Sequence, residues 1–403
     1  MAPGKVDPPM KGLRVLDAAT FLAGPFCAAV FAEFGADVIK IEHPQHPDPL
    51  RHLGPLTESG DCLTWLSEAR NKRTITLDLG QQEGAALFRE LVLKSDVVIE
   101  NFRPGTMERW GLGWRDLSAL KPDLVMVRIT AYGQDGPYRN RPGFARIAHA
   151  FSGLTYLAGE PGGPPVIPGS TSLGDYITGL YGAVGALMAL RHRDATGEGQ
   201  FVDAALYEST FRMLDELAPA YAKHGVVRER MGPDTATIVP HSHYQCADGN
   251  WVALACSSDK IFARLARAMD RADLLQPGTY DTMQSRVDAR DFINGLVTDW
   301  IGGKSRDELM AICLDKDIPC GPVNSIADIF ADPHYKARGS MTTLTHAQVG
   351  DVVIPSVLPR LSRTPGEIRH LGHGHGEDSA EIYRELLGLT AEKLAALKAR
   401  GIV

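Results

Sequence analysis

Asp175 is the residue of this sequence best suited to covalent chemistry. It closes the motif Ser-Leu-Gly-Asp at residues 172–175, at the predicted start of a long apolar helix. A carboxylate at a helix N-terminus accepts free backbone N–H groups, so Asp175 could serve simply as a helix cap. The same helix dipole would keep an attacking carboxylate ionised, and a nearby glycine loop would let a substrate approach. Asp175 is therefore either a cap or a nucleophile.

Basic side chains beside predicted strand ends form a second candidate group. They are Lys72 and Arg73 in one turn, and Arg103 and Arg109 in another. Such charges are commonly only solvated, but strand ends of an open α/β sheet are where phosphate-bearing ligands bind. The sequence has neither G-x-G-x-x-G nor G-x-x-x-x-G-K-[ST], which disfavours a dinucleotide or nucleoside triphosphate site. Another phosphate-bearing cofactor is left as the alternative.

Two further arginines, Arg51 and Arg146, could hold an acidic substrate. Arginine binds carboxylates through two parallel hydrogen bonds, although surface ion pairing is the competing interpretation. His241 and His243 could be read as metal ligands, but alternate residues of a strand point to opposite faces and no third ligand is evident. The sequence therefore predicts a carboxylate site and no metal site.

The elements that must position these residues alternate between strand and helix. The spacing predicts a mostly parallel sheet with helices on both faces, an α/β fold. Predicted strands cover residues 13–17, 36–42, 74–79, 97–100, 124–129 and 201–205, with helices at 25–34, 81–94 and from 176 to about 192. The last helix carries several glycines and alanines on one side. Since glycine weakens a helix, we expect another element to pack closely there.

Three segments make up the predicted domain organisation. Residues 1–222 form the first part of a large domain, residues 223–329 a smaller α+β domain, and residues 330–403 a connection that returns to the large domain. The change at about residue 223 is marked by Arg, Pro and Thr, followed by a turn signal at residues 247–250.

Composition limits the partners of the protein. With 403 residues and a net charge of −7, the chain is long enough for a large core, and neither nucleic acid nor an anionic membrane is an expected partner. Its six cysteines are far apart without a C-x-x-C pair, so we expect buried thiols in a reducing compartment. No signal-peptide stretch opens the sequence, and the apolar run at residues 176–190 is shorter than a membrane span of about 18 residues. These features predict a cytoplasmic protein.

Many ordered motifs resemble the class III CoA-transferases, the group that contains formyl-CoA, carnitine and succinyl-CoA:dicarboxylate CoA-transferases. The resemblance spans nearly the whole chain. The motifs lie at residues 23–25 (Ala-Gly-Pro), 71–73 (Asn-Lys-Arg), 100–105 (Glu-Asn-Phe-Arg-Pro-Gly), 133–138 (Gly-Gln-Asp-Gly-Pro-Tyr), 152–153 (Ser-Gly), 173–175 (Leu-Gly-Asp), 197–200 (Gly-Glu-Gly-Gln), 318–323 (Ile-Pro-Cys-Gly-Pro-Val) and 332–338.

The resemblance implies both architecture and mechanism. It implies a Rossmann-like large domain assembled from both ends of the chain, a small middle domain, and two subunits interlocked as a homodimer. Asp175 stands where the family has its catalytic aspartate. It would attack an acyl-CoA thioester and pass through an aspartyl anhydride and an aspartyl-CoA thioester. CoA thioesters would be substrates, with no permanently bound cofactor.

The resemblance also implies which residues form the CoA site. Lys72, Arg73, Arg103 and Arg109 would meet CoA phosphates, with His43 and Tyr132 lining the same cleft. Two departures disfavour formate/oxalate chemistry: Leu22 stands where those members have Gln, and residues 238–241 replace a glycine-rich lid.

The α-methylacyl-CoA racemases share the fold and form the main alternative. They carry a His where this chain has Phe144, and racemisation needs an acid/base on each face of the α-carbon. His149 would have to stand in for that base. A non-catalytic acyl-CoA-binding subunit of a hetero-oligomer is a further alternative.

We therefore predict a CoA-transferase that moves CoA from a dicarboxylyl-CoA, foremost succinyl-CoA, to a small organic acid. Expected acceptors are C4–C5 dicarboxylates such as malate, citramalate, mesaconate or itaconate. This substrate class rests on Arg51 and Arg146.

Overall fold

A parallel sheet organises the first half of the chain, as the alternation of strands and helices predicts. The computed structural model describes residues 6–169 and 172–403, and within them this sheet has the order β3-β2-β1-β4-β5-β6, all parallel. Its strands are β1 (Arg14–Asp17), β2 (Asp37–Glu42), β3 (Lys72–Thr76), β4 (Val97–Glu100), β5 (Val125–Thr130) and β6 (Phe201–Ala205).

Both faces of the sheet are covered. Neighbouring residues of one strand belong to different buried clusters: Leu16 packs in one cluster and Val15 in another, and the same holds for Ile39 and Val38. Successive side chains of a strand point to opposite faces, so each face has its own core. The predicted α/β class is confirmed.

The helices follow the chain in this order: α1 (Ala23–Glu33), α2 (Leu63–Glu68), α3 (Gln82–Leu93), α4 (Thr106–Arg109), α5 (Trp114–Leu120), α6 (Ala145–Ser152), α7 (Leu154–Leu157), α8 (Leu173–Thr196), α9 (Leu206–Phe211), α10 (Leu217–His224), α11 (Asp259–Ala268), α12 (Met283–Asp288), α13 (Arg290–Gly302), α14 (Arg306–Asp315), α15 (Ile326–Ala331), α16 (Pro333–Ala337), α17 (Ser379–Leu387) and α18 (Ala391–Ala399). Short 3-10 helices cover Pro49–His52 and Ala272–Leu275.

Two compact units make up the chain. One contains residues 1–155, 167–225 and 339–403, and it holds the parallel sheet and the antiparallel pair β10 (Met341–His346) and β11 (Gly350–Pro355). The other contains residues 156–166 and 226–338, and it holds an antiparallel sheet of β7 (His241–Gln245), β8 (Trp251–Ala255) and β9 (Cys320–Pro322). The predicted domain division at residues 222 and 329 stays a prediction. Residues 1–5, part of the segment expected to lack a signal peptide, lie outside the described residues.

Helix α8 packs tightly in the sheet unit, and its glycines permit the approach. A Cβ on Gly179 would lie 2.7 Å from the carbonyl oxygen of Ala23 in α1, and one on Gly185 would lie 2.7 Å from Val202 in β6. The expected close packing against this small-residue face is confirmed. Gly182 similarly leaves room for Cys27 and Val127.

The same helix is long and apolar enough to cross a membrane by length and composition alone. The apolar run predicted at residues 176–190 is thus part of a longer helix of 24 residues. One side of the helix packs against α1, β5 and β6 in the core of the sheet unit.

Candidate active site

A cavity of about 520 Å³ opens at the carboxyl ends of the central strands. The strand order reverses between β1 and β4, and ligands of open α/β sheets bind at such a switch point. The cavity is lined by the segments that follow β1, β4 and β6, by the end of β5, and by the first turn of α8. Its lining includes Phe21, Leu22, Ala23, Asn101, Thr130, Phe144, Arg146, Asp175, Tyr176 and Leu206. The volume suits a small acyl group with part of a longer carrier.

Asp175 faces this cavity from the first turn of α8. Within the described parts of the chain, no hydrogen-bond donor or cation pairs with its carboxylate. Burial therefore raises the pKa of Asp175 to about 6. A carboxylate without a partner is suited to attack rather than to capping, and at neutral pH it is still largely ionised.

Arg146 lines the same cavity from the first turn of α6. Its side chain is exposed, and no hydrogen bond or ion pair to it is present among residues 6–169 and 172–403. A free guanidinium beside a cavity can bind a substrate carboxylate. The structure thus brings Arg146 and Asp175, two of the predicted site residues, to one cavity.

Two aromatic rings form part of the cavity wall. Phe21 and Phe144 meet edge to face, with ring centroids 5.4 Å apart. Phe144 occupies the position at which a racemase would carry its second acid/base. An apolar ring cannot move a proton, so this wall supplies no base.

The loops after β1 and β4 are tied together across the switch point. The backbone N–H of Thr20 donates to Asn101 Oδ1 at 2.8 Å, and Asn101 Nδ2 donates to the carbonyl of Thr20 at 2.7 Å. Asn101 lines the cavity, so these two hydrogen bonds hold part of the cavity wall in place.

Arg51 does not join this cavity. Its guanidinium makes two hydrogen bonds to Glu42, at 2.9 and 2.7 Å, and lies 3.7 Å from the ring centre of Trp65. Burial opposes ionisation of Glu42, but Arg51 and Lys40 outweigh it and hold the pKa of that carboxyl below its usual range. The competing interpretation of ion pairing thus applies to Arg51.

Lys72 and Arg73 are also engaged elsewhere. They begin β3, at the amino end of the parallel sheet, whereas the cavity lies at the carboxyl ends. Lys72 is 1% exposed and pairs with Asp17 at 2.9 Å. Arg73 makes a forked ion pair with Asp37. Both side chains are thus engaged in ion pairs within the protein, and their contact with CoA phosphates stays a prediction.

Arg103 lies where a phosphate-bearing ligand could reach it. It lines a smaller cavity of about 110 Å³ that shares Asn101 and Phe144 with the main one. Two further arginines line that smaller cavity, Arg139 and Arg141. Sequence reasoning did not single them out, although the turn motif at residues 133–138 directly precedes them.

The other predicted CoA contacts are dispersed. His43 lines a separate cavity after β2, beside Phe102. Arg109 is exposed, and its guanidinium donates to Thr106 Oγ1 at 3.0 Å. Tyr132 packs among Tyr138, Phe151 and Tyr207 in a cluster of rings. Neither Arg109 nor Tyr132 lines the main cavity.

Comparisons with known proteins identify the family of the chain. Residues 10–379 match the model of CoA-transferase family III. The chain is 53% identical to the succinyl-CoA–L-malate CoA-transferase alpha subunit of Chloroflexus aurantiacus, over 99% of this chain and 94% of the relative. It is 51% identical to the beta subunit of the same name, over 98% of each chain.

A solved structure gives the same result. The crystal structure of a CAIB/BAIF family protein from Brucella suis superposes with a TM-score of 0.83 at 33% identity, over 94% of this chain and all of that one. Together with the family match, this shows that the chain belongs to CoA-transferase family III and is a class III CoA-transferase.

Proposed function

We propose that this enzyme transfers CoA from succinyl-CoA to a C4–C5 dicarboxylate, with malate as the first acceptor to test and citramalate, mesaconate and itaconate after it. The observation that carries the proposal is the presence of Asp175 and Arg146 in one cavity. The relatives named for succinyl-CoA and L-malate support it at 53% and 51% identity, and one named for D-citramalate supports it at 39%.

The first half of the reaction loads CoA onto the enzyme. A carboxylate oxygen of Asp175 attacks the thioester carbonyl of succinyl-CoA, and CoA thiolate leaves, which forms a succinyl-aspartyl anhydride. The thiolate then attacks the aspartyl carbonyl and breaks its bond to the bridging oxygen, so succinate leaves with one oxygen atom that came from Asp175, and Asp175 holds CoA as a thioester. Covalent catalysis thereby divides one transfer into exchanges of similar energy.

The second half reverses these steps with the acceptor. An acceptor carboxylate attacks the aspartyl thioester, thiolate leaves, and a mixed anhydride forms again. Thiolate attack on the acceptor carbonyl then gives the new acyl-CoA and restores the carboxylate of Asp175. Each step exchanges one oxygen or sulfur nucleophile for another, so no oxidant or metal is consumed.

Arg146 is proposed to select dicarboxylates. A substrate that reacts through one carboxyl group still carries a second one, which remains charged at neutral pH. Arg146 offers that group a free guanidinium at the cavity wall. Arg51 stays in the proposal only as a residue to test, because Glu42 already occupies its guanidinium.

CoA phosphates are proposed to bind at the arginines of the smaller cavity. Arg103, Arg139 and Arg141 line it together, and its shared wall with the main cavity would let one molecule occupy both. His43, Arg109 and Tyr132 remain weaker candidates for the same ligand, since they lie in other surroundings.

We also propose that two copies of the chain assemble as an interlocked homodimer. Helix α8 leaves an apolar stripe exposed: Leu180 is 50%, Val184 46% and Met188 68% exposed. These residues recur every four positions and so share one face. A second copy is the proposed occupant. Relatives named as alpha and beta subunits make a related second chain the competing outcome.

The decisive experiment traps the enzyme-bound acyl group. The purified chain is incubated with succinyl-CoA, quenched with borohydride or hydroxylamine, and its peptides are mapped by mass spectrometry, with Asp175→Asn as the matched control. Modification confined to Asp175 supports the transferase mechanism. Exchange of α-protons with deuterated solvent, without modification, would instead favour racemase chemistry.

Assembly is tested in the same preparation by light scattering. A dimer active without any second polypeptide supports the homodimer. Activity that appears only when a related chain is added would replace it with a hetero-oligomer.

A further inference from the structure

His149 of helix α6 contacts the first turn of α8, the turn that carries Asp175. The backbone N–H of Gly174 donates to His149 Nε2 at 2.8 Å. His149 is only 1% exposed, and Gly174 is buried as well. The first N–H groups of a helix have no partner within the helix, so this imidazole supplies one for the N–H of Gly174, the residue before Asp175.

The hydrogen bond defines the tautomer of His149. A neutral imidazole has one donor and one acceptor nitrogen. Because Nε2 accepts from Gly174, the ring proton lies on Nδ1. Burial lowers the pKa of His149, which favours this neutral ring.

Gly174 and His149 also fit each other sterically. A Cβ added to Gly174 would lie 2.9 Å from His149 Nε2 and 3.2 Å from Thr210 Oγ1. Only glycine at this position lets the ring approach the peptide so closely. The ring is thus held between its own helix and the backbone that precedes Asp175.

A direct acid/base role does not fit this arrangement. His149 does not line the main cavity, and its Nε2 is engaged by Gly174. Its Nδ1 is buried without a partner among the described residues. The group therefore acts on the reaction through the backbone and not through the substrate.

We propose that His149 is a positioning residue: its Nε2 holds the Gly174 peptide and thereby fixes the direction in which the Asp175 carboxylate meets the thioester. This inference rests on the proposed CoA-transferase function. Its physical basis is that attack needs a near-ideal approach, and a misplacement of about 1 Å can cost about 100-fold in rate.

Two variants of matched shape test the proposal. His149→Gln retains an oxygen acceptor near the position of Nε2, whereas His149→Met has similar length and only a thioether sulfur, which is a weak acceptor. We expect His149→Met to lose about 10- to 100-fold in kcat with the KM for succinyl-CoA within about threefold. His149→Gln should stay within about threefold of the wild type.

Equal kcat losses in both variants, or no loss in either, would overturn the proposal. A loss carried by KM would overturn it too, because a positioning role acts on the chemical step. Thermal unfolding of both variants shows whether a change in folding accounts for the rates.

A measurement on the wild type covers the case in which His149→Met does not fold. NMR of the protein labelled with ¹⁵N-histidine, without substrate, reports the tautomer of His149. We expect a neutral ring protonated at Nδ1, and a ring protonated at Nε2 would contradict the hydrogen bond. This readout needs no activity, so an inactive wild type would count against the proposed function while the tautomer still decides the positioning contact.

Discussion

Asp48 holds Phe21 in a left-handed backbone conformation. Its Oδ1 accepts the backbone N–H of Phe21 at 3.0 Å, where Phe21 has a φ of 61°, and its other oxygen lies 2.8 Å from Lys40 Nζ. Such a conformation is costly for a bulky residue and persists only when its surroundings hold it. A buried carboxylate thus shapes the wall of the substrate cavity.

Removing this carboxylate should destabilise the protein. Asp48→Ala leaves Lys40, also buried, with a charge that Asp17 at 4.0 Å compensates only partly. We expect a loss of about 3–5 kcal/mol in the free energy of unfolding, and a smaller loss for Asp48→Asn, which retains an acceptor. Urea denaturation measures both, and an equal loss in the two variants would contradict the role of the Oδ1 acceptor that holds Phe21.

The rate should depend on the ionisation of Asp175. Its pKa is raised to about 6, and only the carboxylate attacks. We therefore expect kcat/KM to rise as pH increases through about 6 and to level off above about 7. The pH profile of kcat/KM tests this. A midpoint near 4 would contradict the expectation, because it would mean that burial does not raise the pKa of Asp175.

Because Asp175 is buried, its ionisation should lower the free energy of unfolding of the protein. The folded protein holds the proton of Asp175 more tightly than the unfolded chain does, so ionisation opposes folding as pH rises from about 4 to above 6. Asp175→Asn should therefore be inactive yet more stable than the wild type by about 1–3 kcal/mol at pH 8. The advantage should shrink at pH 4, which denaturation at the two pH values checks.

Arg146 and Arg51 should respond differently to removal. Arg146→Ala should raise the KM for a dicarboxylate acceptor by about 10- to 100-fold, since a charge-assisted hydrogen bond is lost. Arg51→Ala should instead cost about 3–5 kcal/mol of stability, because the buried Glu42 would lose its ion-pair partner and keep only the backbone N–H of Asp48 as a hydrogen-bond donor. Acceptor kinetics and urea denaturation of both variants distinguish the two roles. An altered acceptor KM in a stable Arg51→Ala enzyme would return Arg51 to the substrate site.

Glycines in two helices should give opposite results on replacement by alanine. Gly179→Ala would press its Cβ against α1, at 2.7 Å from the carbonyl of Ala23, and should cost about 1–3 kcal/mol. Gly295 in α13 has nothing within 4 Å of a Cβ, so Gly295→Ala should stabilise by about 0.5–1 kcal/mol. Thermal unfolding measures both, and a stabilising Gly179→Ala would contradict close packing of α8.

Sequence patterns predicted the sheet well because apolar strands alternate with helices along the chain. They also indicated Asp175, from its place at the start of a predicted helix, and Arg146, because arginine binds carboxylates through two parallel hydrogen bonds. Lys72 shows the limit of such reasoning. The residue lies just before the predicted strand 74–79, but nothing local in the sequence shows that its side chain is buried and paired with Asp17, 55 residues away.

Hydrogen-bond and ion-pair partners that are distant in the chain could not be predicted from the sequence either. Arg51 is nine residues from Glu42 and 322 residues from His373, whose carbonyl it also contacts. Sequence alone cannot tell a free guanidinium from one that tertiary structure has already neutralised. The contact of His149 with Gly174, 25 residues away, was likewise visible only after α6 and α8 had been placed together.

The reciprocal bonds between Thr20 and Asn101 have a consequence for substrate range. Loops after neighbouring strands that are joined in this way keep the spacing of the sheet itself, about 4.8 Å between strands. The mouth between them cannot widen by loop movement without breaking both bonds. Relatives with the same pair of hydrogen bonds would then change their acceptor substrate by exchanging side chains such as Phe21, Leu22 or Phe144, while the length of these loops stays constant.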